Sequence, residues 1–285
     1  MAADGDRSRE WRLGETSLML GDRSLMMGIL NVTPDSFSDG GRYDAVEPAT
    51  RQALRLLEQG AAMVDVGGES TRPGFEPVSE KEEIRRVVPV IQAVLQRDPS
   101  AILSIDTSKA PVAAAAIEAG ARIVNDVWGF QSDVEIASVA AQCGTGVALM
   151  RNGRGGGEGG SILEKVKRSW ATSVEIALKA GVREEAIVLD PGIGFGTTRQ
   201  EDLEIMRGLA ELGAFGFPLL LGTSRKRITA MPLGLPVESR LPATVATTVA
   251  GIAAGVDVFR VHDVAENLRA SLLADLIYRG GQLDG

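Results

Sequence analysis

Polar residues that follow short apolar runs are the residues of this chain best suited to bind a small molecule. Asp106, Asn125 and Asp190 each stand at the end of such a run. Together they offer carboxylate and carbonyl acceptors and one amide donor, a combination that suits a flat heterocycle bearing several N–H groups. These three residues therefore predict recognition of a ring through paired hydrogen bonds.

Cationic residues follow the last two apolar runs. Lys226 comes after one, and Arg260 and His262 close the other, two residues apart and so on one face of a strand. In a barrel, phosphate often binds after the last two strands, so these residues predict a phosphate or diphosphate site. His262 is the only histidine, which excludes a metal site built from several histidines.

Two long segments rich in turn-forming residues, 31–41 (NVTPDSFSDGG) and 67–74 (GGESTRPG), complete the candidate site. Segments of this composition fold as turns or close over a substrate. Their candidate pocket residues are Phe37 in the first and Thr71, Arg72 and Pro73 in the second. A third segment, 190–196 (DPGIGFG), resembles a glycine-rich phosphate loop, and Phe195 within it fits equally well as a wall of the pocket.

An alternation of apolar runs and helix-period segments predicts the elements that carry these residues. The apolar runs are 25–30, 62–66, 102–105, 122–124, 147–150, 186–189, 218–221 and 256–261. Most are continuously apolar, as parallel strands buried on both faces should be. The predicted helices are 46–59, 79–97, 110–119, 131–142, 161–180, 200–212, 239–254 and 264–279.

Eight strand–helix units without a break in composition favour one α/β domain, a (β/α)8 TIM barrel. A doubly wound sheet is the alternative, but no GxGxxG follows the first strand. Residues 1–24 are predicted to form an N-terminal β-hairpin that plugs the bottom of the barrel, and residues 25–285 to form the barrel. In a barrel the polar residues above meet at the carboxyl-terminal mouth, where active sites lie.

Composition excludes several other classes of protein. The chain is 44% hydrophobic and 24% charged, which is typical of a globular protein. The longest nearly uncharged apolar stretch, 243–256, is shorter than the roughly 20 residues that span a bilayer, so we expect no membrane partner. A net charge of −8 argues against a nucleic-acid partner. Cys143, the single cysteine, excludes a disulfide framework, fits a reducing cytoplasm and is expected in the core.

Seven ordered segments between about residues 25 and 280 resemble those of the dihydropteroate synthases, the pterin-binding enzymes of folate biosynthesis. They are GILNVTPDSFSDGG (28–41), VDVGGESTRPG (64–74), SIDTSK (104–109), VNDVWG (124–129), LDPGIGFG (189–196), GTSRK (222–226) and FRVHDV (259–264). The resemblance implies a (β/α)8 barrel that joins p-aminobenzoate to 6-hydroxymethyl-7,8-dihydropterin diphosphate, with Mg²⁺ as cofactor. The products are 7,8-dihydropteroate and diphosphate, and a homodimer is expected.

The resemblance also implies a role for each candidate residue. The residues expected to hold the pterin are Asp106, Asn125, Asp190 and Lys226. Those expected to handle the diphosphate and Mg²⁺ are Asn31, as the direct metal ligand, with Arg72, Arg260 and His262. The p-aminobenzoate pocket is expected to comprise Phe37, Thr71, Pro73, Phe195, Ser224 and Arg227, and Thr71 also to reach the pterin diphosphate. The catalytic residues are expected to be Asp106, Lys226, Arg260 and His262.

The chain departs from the family pattern after the fifth barrel strand, where Arg151, Asn152 and Gly153 follow Met150 in place of the usual Met-His-x-Arg. The role of that loop and of the glycine run 153–160 stays open. Two alternative functions are a methyltetrahydrofolate methyltransferase-type domain and a catalytically silent pterin-binding paralogue. The first has no need of a cationic diphosphate site, and only the altered loop favours the second.

Overall fold

Eight parallel strands form the centre of the molecule in a computed structural model that describes residues 8–33, 46–70, 77–156 and 159–280. They are β3 (Leu25–Asn31), β4 (Met63–Gly67), β5 (Leu103–Asp106), β6 (Ile123–Asp126), β7 (Gly146–Met150), β8 (Ile187–Asp190), β9 (Leu220–Leu221) and β10 (Val258–Val261). Their order is β8-β7-β6-β5-β4-β3-β10-β9. A parallel bridge between Leu189 and Leu219 brings β8 beside the start of β9, so the barrel is nearly closed. The predicted barrel is confirmed.

An antiparallel hairpin, β1 (Arg9–Leu13) and β2 (Thr16–Leu20), covers one end of the barrel. Trp11 is fully buried and packs with Met27, Met63 and other residues near the strand starts. Its indole Nε1 donates a hydrogen bond of 2.9 Å to the carbonyl oxygen of Ala186. The predicted hairpin therefore plugs the amino-terminal end of the barrel and leaves the opposite mouth to the site. The domain boundary at residue 24 stays a prediction.

The helices surround the barrel. They are α1 (Val46–Glu58), α2 (Glu80–Arg97), α3 (Ala110–Glu118), α4 (Glu135–Cys143), α5 (Ile162–Ala180), α6 (Arg199–Arg207), α7 (Leu209–Gly213), α8 (Leu241–Ala253) and α9 (Val264–Arg279). The predicted helix over 200–212 is divided into α6 and α7 at Gly208. A Cβ at that position would lie 2.5 Å from the end of the Leu163 side chain of α5, so the two helices pack closely at Gly208.

The predicted start of the fourth helix at residue 131 is wrong, because the carboxylate of Asp126 organises a turn before α4. Asp126 accepts hydrogen bonds from the N–H groups of Trp128 at 2.9 Å and Phe130 at 2.6 Å. Phe130 has a positive φ of 65°, and after this turn the Asp133 carboxylate accepts the N–H of Glu135 at 3.2 Å, where the helix starts. Helix α4 therefore begins at Glu135.

One interpretation of burial, that of Cys143, is wrong. Cys143, expected in the core, is exposed at the end of α4. The apolar stretch 243–256 forms most of α8, whose buried residues are Thr244, Thr248, Gly251 and Ile252. Its other face therefore lies at or near the surface. None of the helices in the described ranges is long and apolar enough to cross a bilayer.

Candidate active site at the barrel mouth

Arg260 of β10 lies at the centre of a polar network that joins four strands at the carboxyl-terminal mouth. Its Nε donates to Asp65 Oδ2 of β4 at 2.6 Å, and its Nη2 donates to Asp106 Oδ2 of β5 at 2.6 Å. Asn125 of β6 donates from Nδ2 to the same Asp65 oxygen at 2.9 Å. Three residues predicted from different motifs, Asp106, Asn125 and Arg260, are thus brought together, with Asp65 as the link.

Burial controls the charge of Asp106. Removal from water raises the pKa of this carboxyl from its usual 3.8 to about 7, against the lowering effect of the Arg260 guanidinium. The neighbouring Asp65 and Glu83 carboxylates raise the pKa of Asp106 further. The group therefore changes charge near neutral pH, as acid–base and charge-stabilising residues of active sites often do.

Asp190 and Lys226 lie close to each other beside Gly222. Asp190 Oδ2 and Lys226 Nζ each lie 3.6 Å from the position a Cβ would take at Gly222. Lys226 donates from Nζ to the Ile193 carbonyl at 2.8 Å and lies 4.7 Å from the centre of the Phe195 ring. Burial lowers the pKa of Lys226 to about 8, against the raising effect of Asp190. Burial likewise raises the pKa of Asp190, against Lys226.

Ser224 and His262 are in contact across the ends of β9 and β10. Ser224 Oγ lies 3.0 Å from His262 Nδ1, and it also accepts the backbone N–H of His262 at 3.1 Å. Ser224 is buried and His262 is half-buried. The contact holds the imidazole just after the end of β10, two residues beyond Arg260.

The segment 190–196 is not organised as a phosphate loop, because it uses several of its own N–H groups. Gly192 donates to Asp190 Oδ1 at 2.7 Å, and Gly194 donates to Asp202 Oδ1 at 2.9 Å. Gly192 has a φ of 75°, and a Cβ there would lie 1.9 Å from the carbonyl oxygen of Arg151. The glycines therefore serve tight turns and close packing rather than anion binding.

The altered loop after β7 packs against this segment. Gly153 donates its N–H to the Phe195 carbonyl at 3.0 Å, and the Arg154 guanidinium lies 4.8 Å from the centre of the Phe195 ring. The side chain of Arg151 is buried below this contact. This part of the loop therefore supports Phe195, a candidate wall of the pocket, without the usual histidine.

Arg227 is also attached to the segment after β8 rather than extended into solvent alone. Its Nη2 donates to the Thr197 carbonyl at 2.6 Å and lies 3.6 Å from the buried Asp202 carboxylate. The side chain remains 48% exposed. Both a supporting contact and access to a ligand are compatible with this position.

Asn31, the predicted metal ligand, ends β3 next to Asp106. Asn31 Oδ1 and Asp106 Oδ2 lie 3.8 and 3.7 Å from the position a Cβ would take at Gly67. Over the described ranges, no group of three or more His, Cys, Asp or Glu side chains is arranged to hold a metal ion. Phe37, Thr71, Arg72 and Pro73 lie outside the described residues, so their predicted roles are untested by the geometry.

Two groups of residues were missed in the sequence. Asp65 is fully buried in the middle of β4, and the available signal was an aspartate inside an otherwise apolar strand. Lys109 donates from Nζ to Glu69 at 2.7 Å, Glu83 at 2.6 Å and the Val78 carbonyl at 2.7 Å. These residues line a cavity of about 130 Å³ that reaches Asp106. The sequence around Lys109 does not indicate a contact with Glu83, because Glu83 lies in α2 and Lys109 comes directly before α3.

Comparison with known proteins gives a consistent picture. The family model described as pterin binding enzyme matches residues 27–262. A dihydropteroate synthase of Clostridium beijerinckii is 48% identical over 269 residues, which are 94% of this chain and 99% of the relative. A crystal structure of dihydropteroate synthase from Clostridium difficile in the presence of pteroic acid has a TM-score of 0.88 and 47% identity. It covers 91% of this chain and 98% of its own.

A second solved structure, the Xanthomonas albilineans dihydropteroate synthase with 4-aminobenzoic acid, also has a TM-score of 0.88. It is 36% identical and covers 94% of this chain and 98% of its own. Both similarities extend over nearly the whole described barrel.

Proposed function

This chain belongs to the pterin-binding enzyme family and, within it, to the dihydropteroate synthases, and we propose that its barrel mouth carries out their reaction with the residues described above. The reaction transfers the pterin methylene from diphosphate to the amino group of p-aminobenzoate. The observation that best supports this use of the mouth is that carboxylates, an amide and cations meet there. Arg260 donates to Asp65 and Asp106, Asn125 donates to the same Asp65, and Asp190 and Lys226 lie close to Arg260 around Gly222.

In this proposal Asp106, Asn125 and Asp190 bind the donor and acceptor groups of the pterin ring. Arg260 and His262 bind the diphosphate and stabilise the charge that builds up as the carbon–oxygen bond breaks. The electron-poor methylene is stabilised by the Asp106 carboxylate. The amine of p-aminobenzoate then forms the new carbon–nitrogen bond and releases a proton to solvent. No covalent bond to the protein is needed.

The side chain of Asn31 fits Mg²⁺. Its amide oxygen Oδ1 lies at the mouth, 3.8 Å from the position a Cβ would take at Gly67, and Mg²⁺ takes few protein ligands when substrate phosphates and water supply the rest. Asn31 would hold the ion on the diphosphate side of the mouth. When bound, the ion neutralises charge on the leaving diphosphate.

The function is tested by measuring diphosphate release with both substrates and Mg²⁺. We expect one 7,8-dihydropteroate formed for each diphosphate released, and no sustained release without p-aminobenzoate. Binding of pterin diphosphate without turnover would instead indicate a silent paralogue. Methyl transfer from methyltetrahydrofolate to a corrinoid protein, with no dihydropteroate formed, would indicate the methyltransferase alternative.

We expect kcat/KM for pterin diphosphate to depend on pH as a bell. Asp106 has a raised pKa of about 7, so its stabilising carboxylate is lost as the pH falls below that value. Lys226 has a lowered pKa of about 8, so its positive charge is lost as the pH rises above it. Rates at saturating p-aminobenzoate between pH 5.5 and 9.5 measure both limbs. The Asp106→Asn variant is the control, since a limb that it keeps belongs to another group or to the substrate.

We expect Arg227→Ser to raise the KM for p-aminobenzoate several-fold and to leave the KM for pterin diphosphate unchanged. The substitution removes the bond to Thr197 beside Phe195, and a half-exposed ion pair is worth at most about 1 kcal/mol. Arg199→Ser, at an exposed position on α6, is a matched control that should change neither value. An unchanged KM for p-aminobenzoate in Arg227→Ser would contradict the assignment.

We further propose that the chain forms a homodimer through the outer face of α9. Four apolar side chains on this helix are 47–63% exposed, namely Leu272, Leu273, Ile277 and Tyr278. Contiguous exposed apolar side chains mark protein–protein interaction sites. In sedimentation experiments we expect twice the chain mass for the wild type and a monomer for Ile277→Lys. Leu178→Lys on α5, where the side chain is 43% exposed, should remain dimeric, and an Ile277→Lys dimer would rule out this face.

A cytoplasmic location also stays a prediction. The single cysteine has no partner in the chain for a disulfide, which agrees with a reducing compartment.

A further inference from the structure

Arg225 has an unusual backbone conformation between two residues of the mouth. Its φ is +56°, in the left-handed region that long side chains seldom adopt. It lies between Ser224, which contacts His262, and Lys226, which lies beside Asp190. Such conformations persist only where surrounding contacts hold them, and they concentrate at functional sites.

Three contacts hold Arg225 in this conformation. Its N–H donates to Thr244 Oγ1 of α8 at 3.2 Å, and its carbonyl accepts Arg240 Nη1 at 2.9 Å. Its guanidinium makes a two-point ion pair with Asp263, from Nε to Oδ2 at 3.0 Å and from Nη2 to Oδ1. The planar fork of arginine matches a carboxylate in this way, whereas lysine does not.

The Arg225–Asp263 pair joins the two segments that carry the cationic side of the site. Asp263 follows His262 directly, and Arg225 stands between Ser224 and Lys226. Each member of the pair is next in sequence to a residue of the Ser224–His262 contact, so the ion pair connects the two segments at that contact. The hydrogen bond of 3.0 Å between Ser224 Oγ and His262 Nδ1 lies directly beside it.

We propose that Arg225 and Asp263 are positioning residues that hold Ser224, Lys226 and His262 in register for the diphosphate. The expected effect on kcat/KM rests on the proposed function. The expected effect on the Ser224–His262 contact rests on the geometry alone. The Arg225 side chain is 40% exposed and that of Asp263 is 18% exposed, so the pair contributes little stability as a surface contact. Instead, the left-handed backbone of Arg225 and the two-point ion pair restrict where the neighbouring side chains of Ser224, Lys226 and His262 can lie.

Kinetics of Arg225→Gly, Asp263→Asn and the double variant test the proposal. Glycine accepts a positive φ, so Arg225→Gly removes the side chain without straining the backbone. We expect each single variant to lower kcat/KM for pterin diphosphate by about ten- to a hundredfold, since small misplacements of reacting groups have effects of this order. The kcat/KM of the double variant should be no lower than that of the poorer single variant, because both substitutions remove the same Arg225–Asp263 interaction.

The Arg85–Glu82 pair on α2 supplies matched controls. It too is a two-point pair, with Nε–Oε2 at 2.8 Å and Nη2–Oε1 at 2.6 Å, and it lies on an outer helix. Arg85→Lys and Glu82→Gln should leave kcat/KM unchanged. Wild-type kinetics in Asp263→Asn, with or without a defect in Arg225→Gly, would overturn the proposal, because Arg225 would then act without its partner.

His262 provides a second readout because it is the only histidine and gives a single set of imidazole ¹⁵N signals. Ser224→Ala supplies the reference spectrum for a lost Ser224–His262 hydrogen bond. We expect Arg225→Gly and Asp263→Asn to shift the His262 nitrogens toward that reference in the same direction. A purely electrostatic influence would move the His262 pKa in opposite directions, since one variant removes a positive charge and the other a negative charge.

Opposite pKa changes, or spectra identical to the wild type, would overturn the positioning role even if the enzyme is a dihydropteroate synthase. Conversely, absence of activity in the wild type would refute the proposed function and leave the spectroscopic test of Arg225 and Asp263 intact.

Discussion

Asp106→Asn is expected to lower kcat/KM for pterin diphosphate by about ten- to a hundredfold, which corresponds to the roughly 1.5–3 kcal/mol typical of a charge-assisted hydrogen bond. The substitution keeps the shape of the side chain but removes the charge that faces Arg260 and, in the proposed complex, the pterin. Steady-state kinetics with p-aminobenzoate at saturation measure the effect. Circular dichroism and an unchanged elution volume show whether the barrel is intact.

The difference in the free energy of unfolding between Asp106→Asn and the wild type should also change with pH, in a direction that the pKa of Asp106 sets. Burial raises the pKa of Asp106 from its usual 3.8 to about 7, so the folded protein binds this proton more tightly than the unfolded chain. The contribution of this group to the free energy of unfolding is therefore greatest below about pH 4 and is lost as the pH rises through about 7. Urea unfolding at pH 5 and pH 8 should show the variant gaining stability relative to the wild type at the higher pH.

Near-wild-type kcat/KM in Asp106→Asn would contradict the assignment of Asp106 to the pterin. Asp190→Asn provides a second check, because Asp190 lies on another strand, β8, and beside Lys226. A large effect in only one of the two variants would remove the other residue from the site.

Arg260→Met is expected to have the largest effect on the folded protein. Arg260 is the cation between the buried Asp65 and Asp106 carboxylates, with both contacts at 2.6 Å. Removing one partner from a buried ion pair typically costs about 3–5 kcal/mol, because the remaining charge stays buried. Loss of a group that stabilises transition-state charge typically lowers kcat by about 10²–10³-fold. Urea unfolding and steady-state kinetics measure the two effects separately.

Two further variants separate stability from catalysis. Asp65→Asn combined with Arg260→Met should recover part of the free energy of unfolding, because one unpaired carboxylate is removed, but no activity. Arg279→Met breaks the buried pair with Asp275 at the amino-terminal end of the barrel, where Arg279 also bonds the Gly21 and Val256 carbonyls. It should lower stability and leave kcat unchanged. Full activity in Arg260→Met would contradict the proposed diphosphate site.

The strands and their end residues were predictable from the sequence. A strand covered on both faces is mostly apolar, so runs such as 102–105 and 186–189 stand out, and most of the polar residues lie where the strands reach the mouth. For this reason the pattern of side-chain polarity alone places Asp106, Asn125 and Asp190 at strand ends, where the barrel has them. The ordered motifs then indicated the family, which the comparisons confirm.

Interactions between distant segments were not predictable in this way. A predicted helix is divided at Gly208, where Leu163 of the preceding helix α5 packs closely. Asp65 joins the site through Asn125 and Arg260, which come from two other strands. Neither partner is marked by local spacing, so only the closed barrel brings them together.

The sequence by itself therefore determined which residues end the strands and what chemistry they offer. The reason is that a strand buried on both faces appears in the sequence as an apolar run, and the polar residues at its end follow directly. Only the tertiary structure decided how those groups are paired, charged and held: Arg260 between two aspartates, Lys226 against Phe195, and Arg225 against Asp263. The physical reason is that hydrogen bonds and desolvation act through space, over a few ångströms, between residues that lie far apart along the chain.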